Sequence, residues 1–256
     1  SKLILLWKNS KVRVCVDGGT NRLHEWCKEK TRLNNTSNNN NSSSEYYDKY
    51  VPDFICGDLD SVDDSIRAFY TSRGAKCFRL FDQNLTDFTK SLKFLVSFVG
   101  NNRVTDQQLG FLAEEDAAHL DSIKRVDIKT IYCFCDFTGR LDHAMANQST
   151  LNDTCLAEVR TYIVSSESIT FLLVSGQNTI CVGDNEFRCG KYCGFFPLGR
   201  PSLVSTQGLR WNLDRQLMTF GSFVSSSNEI ACTNDDHSRH ILIDTEHPLL
   251  FTMSIV

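Results

Sequence analysis

Four short polar strings place acidic residues where they could do chemistry: Asp17-Gly18-Gly19, Gly57-Asp58-Leu59-Asp60, Asp82-Gln83 with Thr86-Asp87, and Gly139-Arg140-Leu141-Asp142. Asp58 and Asp60 are two apart, so in extended backbone their side chains point the same way. Asp87 opens a helical pattern from which it could join them. Three carboxylates packed together repel one another unless a cation sits among them. Hard oxygen donors favour Mg²⁺ over zinc, and Mg²⁺ typically reaches a protein through a few carboxylates plus substrate phosphates. The pattern therefore points to phosphoryl or pyrophosphoryl transfer. Each aspartate taken singly is equally an ordinary turn or helix-capping residue, so the argument rests on their being brought together. Gly18, Gly19 and Gly57 are turn glycines or sites of close backbone approach to phosphate. Arg140 is either a brace for a transferring phosphate or a solvated charge.

The positioning elements are legible in the rhythm of the chain. Short β-branched or aromatic runs at 12–16, 53–56, 77–80 and 126–135 alternate with helical patterns at 21–30, 63–73, 86–99 and 141–151. A βαβα alternation argues for a parallel sheet covered by helices, and parallel strands deliver their carboxyl ends to one sheet edge. On this reading all four acidic strings converge on one cleft. Within the third helical pattern, Leu85, Phe88, Leu92, Leu95 and Val99 make an apolar face, leaving Asp87, Lys90 and Ser91 off it.

From about Tyr162 the rhythm changes to closely spaced strand-like runs at 169–174, 179–182, 192–196, 203–206, 216–220 and 240–244, followed by a final strand after His247-Pro248. This predicts an antiparallel sandwich or barrel and a boundary near residue 160. Trp211, in Gly208–Leu213, and Ser225-Ser226-Ser227-Asn228 are the clusters there that resemble ligand chemistry. An indole offers a flat face to a heteroaromatic ring or a cation, or it closes a core. His237 and His240 read as solvated. Residues 34–44, NNTSNNNNSSS, carry no apolar side chain and read as a flexible surface insertion.

Composition sets the outer limits. The 256 residues carry 27 Lys+Arg against 31 Asp+Glu, a net charge of −4, which argues against a nucleic-acid-binding protein built on a basic arm. The amino-terminal apolar stretch 3–7 is far shorter than a membrane span. Eleven cysteines without a Cys-x-x-Cys pair read as reduced, structural thiols, and the expected compartment is the cytoplasm.

The strings VDGGTNRL (16–23), PDFICGDLDSV (52–62), DQNLTDFTKSL (82–92), TGRLDHAMANQSTL (138–151), GLRWNL (208–213), FGSFVSSSNEI (220–230) and TEHPLLFTM (245–253) closely resemble the thiamin pyrophosphokinase family. The resemblance runs in order from about residue 12 to the end. It implies an N-terminal parallel-sheet, Rossmann-like α/β domain at 1–160 and an antiparallel β-sandwich domain at 161–256. It implies transfer of the pyrophosphoryl group of ATP to the hydroxyl of thiamin, giving thiamin diphosphate and AMP. By the same resemblance Asp58, Asp60 and Asp87 hold Mg²⁺, and Asp142 is the other active-site carboxylate. Asp17, Gly18, Gly19, Asn21, Gln83, Thr86, Lys90 and Arg140 line the nucleotide or phosphate cleft. Trp211 stacks on the thiamin pyrimidine, with Ser225 and Asn228 near its polar edge. The family implies a homodimer whose active sites are shared between subunits.

Two departures stand out. Asn84 occupies the place of an acid in the usual DQDxTD string, and residues 133–138 contain none of the glycines common before Gly139-Arg140. They motivate an alternative, a thiamin- or nucleotide-binding sensor with little turnover, which would bind thiamin without producing AMP. A second alternative, a Mg²⁺-dependent nucleotide hydrolase or an Asp-x-Asp glycosyltransferase, would need neither thiamin nor Trp211.

Overall fold

The β-branched and aromatic runs of the first part form strands where their spacing puts them. The structure, a computed structural model, describes residues 2–37, 45–100, 123–135, 140–153, 156, 158–183, 189–231 and 238–255. Most of the Asn/Ser-rich insertion (38–44), residues 136–139 including Gly139, and His237 lie outside them. The first four residues of the insertion instead continue a long helix. The chain forms two compact units, Ser1–Ile128 and Lys129–Val256. The sequence-based boundary at 160 falls inside the second, at the start of a strand.

The first unit contains α1 (Lys2–Asn9), β1 (Val14–Val16), α2 (Gly19–Ser37), α3 (Glu45–Lys49), β2 (Phe54–Gly57), α4 (Asp64–Thr71), β3 (Lys76–Arg79) and α5 (Asp87–Phe94), which runs into a π-helical turn, Leu95–Val99. The three strands form a parallel sheet in the order β1-β2-β3, with Val16 opposite Cys56 and Gly57 opposite Arg79, so their carboxyl ends are level. Ile55, Cys15 and Cys27 pack with Tyr50 and Tyr70, and α1 adds Ile4 and Trp7 to this core. Phe94 brings α5 against Phe54 and Phe78, with ring centroids at 5.9 and 4.7 Å.

His24 on α2 sits among the rings of Tyr47, Phe69 and Tyr70 at 5.0, 5.1 and 5.9 Å. Its buried Nδ1 has no hydrogen-bond partner among the described residues. Desolvation there holds its pKa below the ordinary 6.5. The unfolded chain therefore takes up the proton first, and stability falls as pH drops below about 6.5. Melting temperature should decline between pH 6.5 and 5, and His24→Phe should flatten that decline; an unchanged slope would dismiss His24 as its source.

The second unit holds β4 (Thr130–Phe134), α6 (Leu141–Thr150), β5 (Arg160–Val164), β6 (Ser168–Leu173), β7 (Gly176–Gly183), β8 (Cys189–Phe196), β9 (Ser202–Gln207), β10 (Gln216–Met218), β11 (Ser225–Glu229), β12 (Ser238–Thr245) and β13 (Leu249–Ile255). A six-stranded sheet, β11-β8-β13-β6-β5-β4, and a four-stranded one, β10-β9-β12-β7, share one core. That core takes Phe195, Phe251 and Leu249 from the first sheet and Val204, Met218, Ile241 and Ile243 from the second. The sandwich is thus present.

The fourth strand, however, does not extend the parallel sheet of the first unit. β4 pairs in parallel with β5, which pairs antiparallel with β6, so β4-α6-β5 is a crossover built onto the edge of the sandwich sheet. Tyr132 stacks on Tyr162, which meets Phe171, and this cross-strand aromatic row ties β4 to the sandwich. A shared sheet edge therefore joins three of the acidic strings and not the fourth. No described helix is long and apolar enough to cross a membrane.

Candidate active site

At the level carboxyl ends of β1 and β2, the backbone turns tightly enough to face carboxylates toward one another. Asp17 adopts φ 40° and Leu59 φ 63°, left-handed conformations uncommon for residues with a Cβ. Asp17 N–H donates to the Cys56 carbonyl at 2.8 Å, extending the β1–β2 ladder by one bond. The buried Asp17 carboxylate accepts the Ser61 and Val62 N–H groups at 3.2 and 3.1 Å, pinning the loop after β2. Asn21, in the first turn of α2, clamps the same loop: its amide donates to the Ser61 carbonyl at 2.9 Å and accepts Asp63 N–H at 3.0 Å.

α5 delivers the third carboxylate. Thr86 caps the helix by accepting Thr89 N–H at 3.2 Å, so Asp87 is not the cap and its carboxylate is turned elsewhere. It accepts Asp58 N–H at 2.9 Å. One oxygen from each of Asp17, Asp58 and Asp87 lies within 4.8 Å of the others. Burial, and then the neighbouring Asp87, raises the Asp58 pKa above the ordinary carboxylate range.

Lys90, expected off the apolar face of α5, is 2% exposed. Its ammonium lies 2.8 Å from Asp87 and 3.7 Å from Asp58, and donates to the Leu80 carbonyl at 3.2 Å. A lysine is buried only when paired, and the carboxylates supply the pairing. Lys90→Met would leave two partly buried carboxylates facing each other and should lower stability by about 2 kcal/mol, discounted for their partial exposure. Thermal melts with and without Mg²⁺ check this: the loss should shrink when the divalent cation is present.

Asp60 is not in the cluster. Its exposed carboxylate accepts the Ser61 hydroxyl at 2.8 Å, because the turn at Leu59 breaks the extended backbone that would have aligned it with Asp58. Asp17, placed by sequence among the phosphate-lining residues, takes the third position. Gly18 and the exposed Gly19 lead into α2, and Gln83 and Thr86 are exposed at the approach to α5. Asn84 is exposed, its N–H donating to Asp82 at 2.8 Å, and its side chain is not part of the carboxylate cluster.

In the second unit, Arg140 and Asp142 form an exposed pair at the start of α6, both carboxylate oxygens accepting guanidinium N–H groups. The guanidinium holds the Asp142 pKa down at about 2. Such a carboxylate suits orientation better than strong base catalysis. Trp211 is half exposed with Arg210 4.7 Å over its ring, Ser225 is buried on β11, and Asn228 is buried beside the Trp211 backbone. Sequence reasoning passed over Arg210 and Glu229; Arg210 N–H groups reach Glu229 at 2.8 Å and Lys191 reaches it at 3.0 Å, which keeps that carboxyl below its usual range. Their charges, one residue from Trp211 and Asn228, were the available signal.

Carboxylates gathered at the edge of a parallel sheet around a buried lysine are the kind of site that suits an enzyme of the phosphoryl-transfer class. Comparison with known proteins narrows the class. The family description "Thiamin pyrophosphokinase, catalytic domain" matches residues 3–163, and "Thiamin pyrophosphokinase, vitamin B1 binding domain" matches residues 178–250. A rice (Oryza sativa subsp. japonica) protein named thiamine pyrophosphokinase 3 is 29% identical over 252 residues, 98% of this chain and 81% of that one. Thiamine pyrophosphokinase of Saccharomyces cerevisiae is 24% identical over 273 residues, covering 98% and 79%. The solved structure of thiamin pyrophosphokinase from Candida albicans superposes with a TM-score of 0.77 at 26% identity, over 100% of this chain and 85% of that one. The chain belongs to the thiamin pyrophosphokinase family.

Proposed function

We propose that this protein transfers the pyrophosphoryl group of ATP to thiamin. The thiamin hydroxyl oxygen bonds to the β-phosphorus, the bond from that phosphorus to the α,β-bridging oxygen breaks, AMP leaves, and the hydroxyl proton passes to solvent or to a carboxylate. The observation that carries this reading is the Asp17, Asp58 and Asp87 cluster around Lys90, in a chain that matches both domains of the family.

The donor set fits Mg²⁺: it is all oxygen, and three carboxylates with one ammonium leave two negative charges, which a divalent cation cancels. Asp58 and Asp87 would hold the ion with Asp17 as third carboxylate; Asp60, which the resemblance also assigns, is tied to Ser61 outside the cluster. When bound, the ion neutralises charge on the triphosphate. The rest is positioning. Lys90 holds Asp58 and Asp87 in place, Asn21 and Asp17 fix the loop that carries Asp58, and the amino ends of α2 and α5 favour anionic phosphate. Gly18, Gly19, Gln83, Thr86 and Arg140 line the nucleotide's path, and Asp142 orients the thiamin hydroxyl.

Residues 1–160 carry the nucleotide chemistry and 161–256 bind thiamin, Trp211 meeting the pyrimidine with Ser225 and Asn228 beside it. The active enzyme is a cytoplasmic homodimer whose sites combine both subunits. The deciding assay follows AMP and thiamin diphosphate from ATP, Mg²⁺ and thiamin, with thiamin omitted in parallel. Equal amounts of both products, each requiring thiamin and Mg²⁺, are expected. ATP breakdown without thiamin would make the protein a hydrolase, and thiamin binding without AMP a sensor.

A further inference from the structure

The hydroxyl-rich string ending in Asn228 would be expected to offer its polar groups to a ligand, but the Asn228 side chain is committed within the protein. The 208–211 segment runs antiparallel to 228–231: Arg210 N–H donates to the Glu229 carbonyl at 2.8 Å, Ala231 N–H to the Gly208 carbonyl at 3.0 Å, and Leu209 bridges Ile230. At Trp211 the ladder would fail, because β11 bulges between Ser225 and Asn228 and Ser227 turns through φ 57°. The Asn228 amide takes over as a surrogate strand. Its Oδ1 accepts Trp211 N–H at 3.3 Å and its Nδ2 donates to the Trp211 carbonyl at 2.8 Å. Oδ1 also accepts Glu229 N–H at 2.8 Å. Asn228 is 4% exposed, so it makes these bonds away from solvent, whereas the indole it holds is 51% exposed.

The next residues complete the mounting. Glu229 binds Arg210 at 2.8 Å and Lys191 at 3.0 Å, and the guanidinium so anchored lies 4.7 Å over the Trp211 ring. One indole face is thereby occupied by a fixed cation, leaving the other for stacking.

We infer that Asn228 is a positioning residue that locks the Trp211 backbone, and that the Glu229-anchored Arg210 closes one indole face, so that Trp211 is a preformed, single-faced platform for the heteroaromatic ring of thiamin. This rests on the thiamin reading above. Ordering an aromatic platform in advance removes an entropic penalty from binding, so loosening it weakens thiamin without touching the nucleotide.

The test isolates Trp211 emission as the difference between each protein and its Trp211→Phe partner. In ligand-free Asn228→Ala, Trp211 anisotropy should fall and iodide quenching rise. KM for thiamin should increase roughly tenfold, as expected for loss of buried hydrogen bonds, with KM for ATP within about twofold. Asn228→Asp, which keeps the acceptor and the volume but sets a carboxylate against the Trp211 carbonyl, should behave alike and serves if the alanine variant does not fold. Arg210→Met should raise quenching by neutral acrylamide, which reads access without the guanidinium's attraction for an anion, by opening the second face. A thiamin KM that rises while ligand-free Trp211 signals stay as in wild type would overturn the inference, since Asn228 would then touch the ligand directly. Loosened Trp211 with unchanged thiamin KM would overturn it equally. Failure of the wild-type protein to use thiamin would instead sink the functional reading, while the ligand-free signals still judge the clamp.

Discussion

Asp58→Asn should lower kcat by about 10³-fold or more while leaving the protein at least as stable as wild type at pH 7. The activity loss follows from removing one of the three carboxylates that gather a divalent cation, whose neutralisation of the transferring phosphates is worth several kcal/mol. The stability expectation has the opposite sign from that of an ordinary salt-bridged aspartate. Burial, then Asp87, raises the Asp58 pKa, so the folded protein holds this proton more readily than the unfolded chain does. Stability contributed by the protonated form is therefore lost as pH rises through the carboxylate range, and a neutral amide avoids that loss. Turnover at saturating substrates and a thermal melt of the same sample decide it. A melting temperature several degrees lower, with activity recovering on cooling, would make Asp58 a structural residue.

The second large effect is expected from a single methyl group. Gly57 has φ 142°, and a Cβ there would lie 2.9 Å from the Asp17 Cβ and 3.2 Å from an Asp87 oxygen. Gly57→Ala forces an unfavourable backbone conformation and pushes apart two of the clustered carboxylates, neither of which can retreat. Asp17 is pinned by Ser61 and Val62, and Asp87 by Asp58 N–H and Lys90. We expect a destabilisation of about 3 kcal/mol from strain and overpacking together, and loss of nearly all turnover even where the protein is still folded. Denaturant unfolding gives the first, and kcat at a temperature well below the melt gives the second. Gly74→Ala is the control: φ is 101° there too, but a Cβ meets nothing within 4 Å, so it carries the backbone strain without the overpacking. If Gly57→Ala retained wild-type turnover, the close approach of Asp17 and Asp87 would not be needed for catalysis.

β1, β2 and β3 fall within a residue or two of the runs that announced them, and α4 and α5 lie on their helical patterns, because each combines a short apolar run with a polar turn; α2, however, runs on to Ser37, past the pattern at 21–30. The sandwich was legible from its strand spacing. α1 and α3 were not, and only the packing of Ile4, Trp7, Tyr46 and Tyr47 on the core reveals their role. Helical periodicity left Lys90 off the apolar face but could not show that it is buried, since periodicity ranks residues by hydropathy and is blind to an ion-pair partner brought in after another strand.

By itself the sequence determined the family, both layers of architecture and the set of acidic residues from which a site could be made, because these depend on local pattern and on ordered motifs along the chain. Tertiary structure decided which acids meet. Left-handed turns at Asp17 and Leu59 bring Asp17 into the cluster and leave Asp60 outside, and no spacing rule for extended backbone could anticipate them. It also decided that β4 joins the sandwich sheet rather than the parallel one, since strand pairing is a long-range choice settled by which aromatic and β-branched neighbours a strand can pack against.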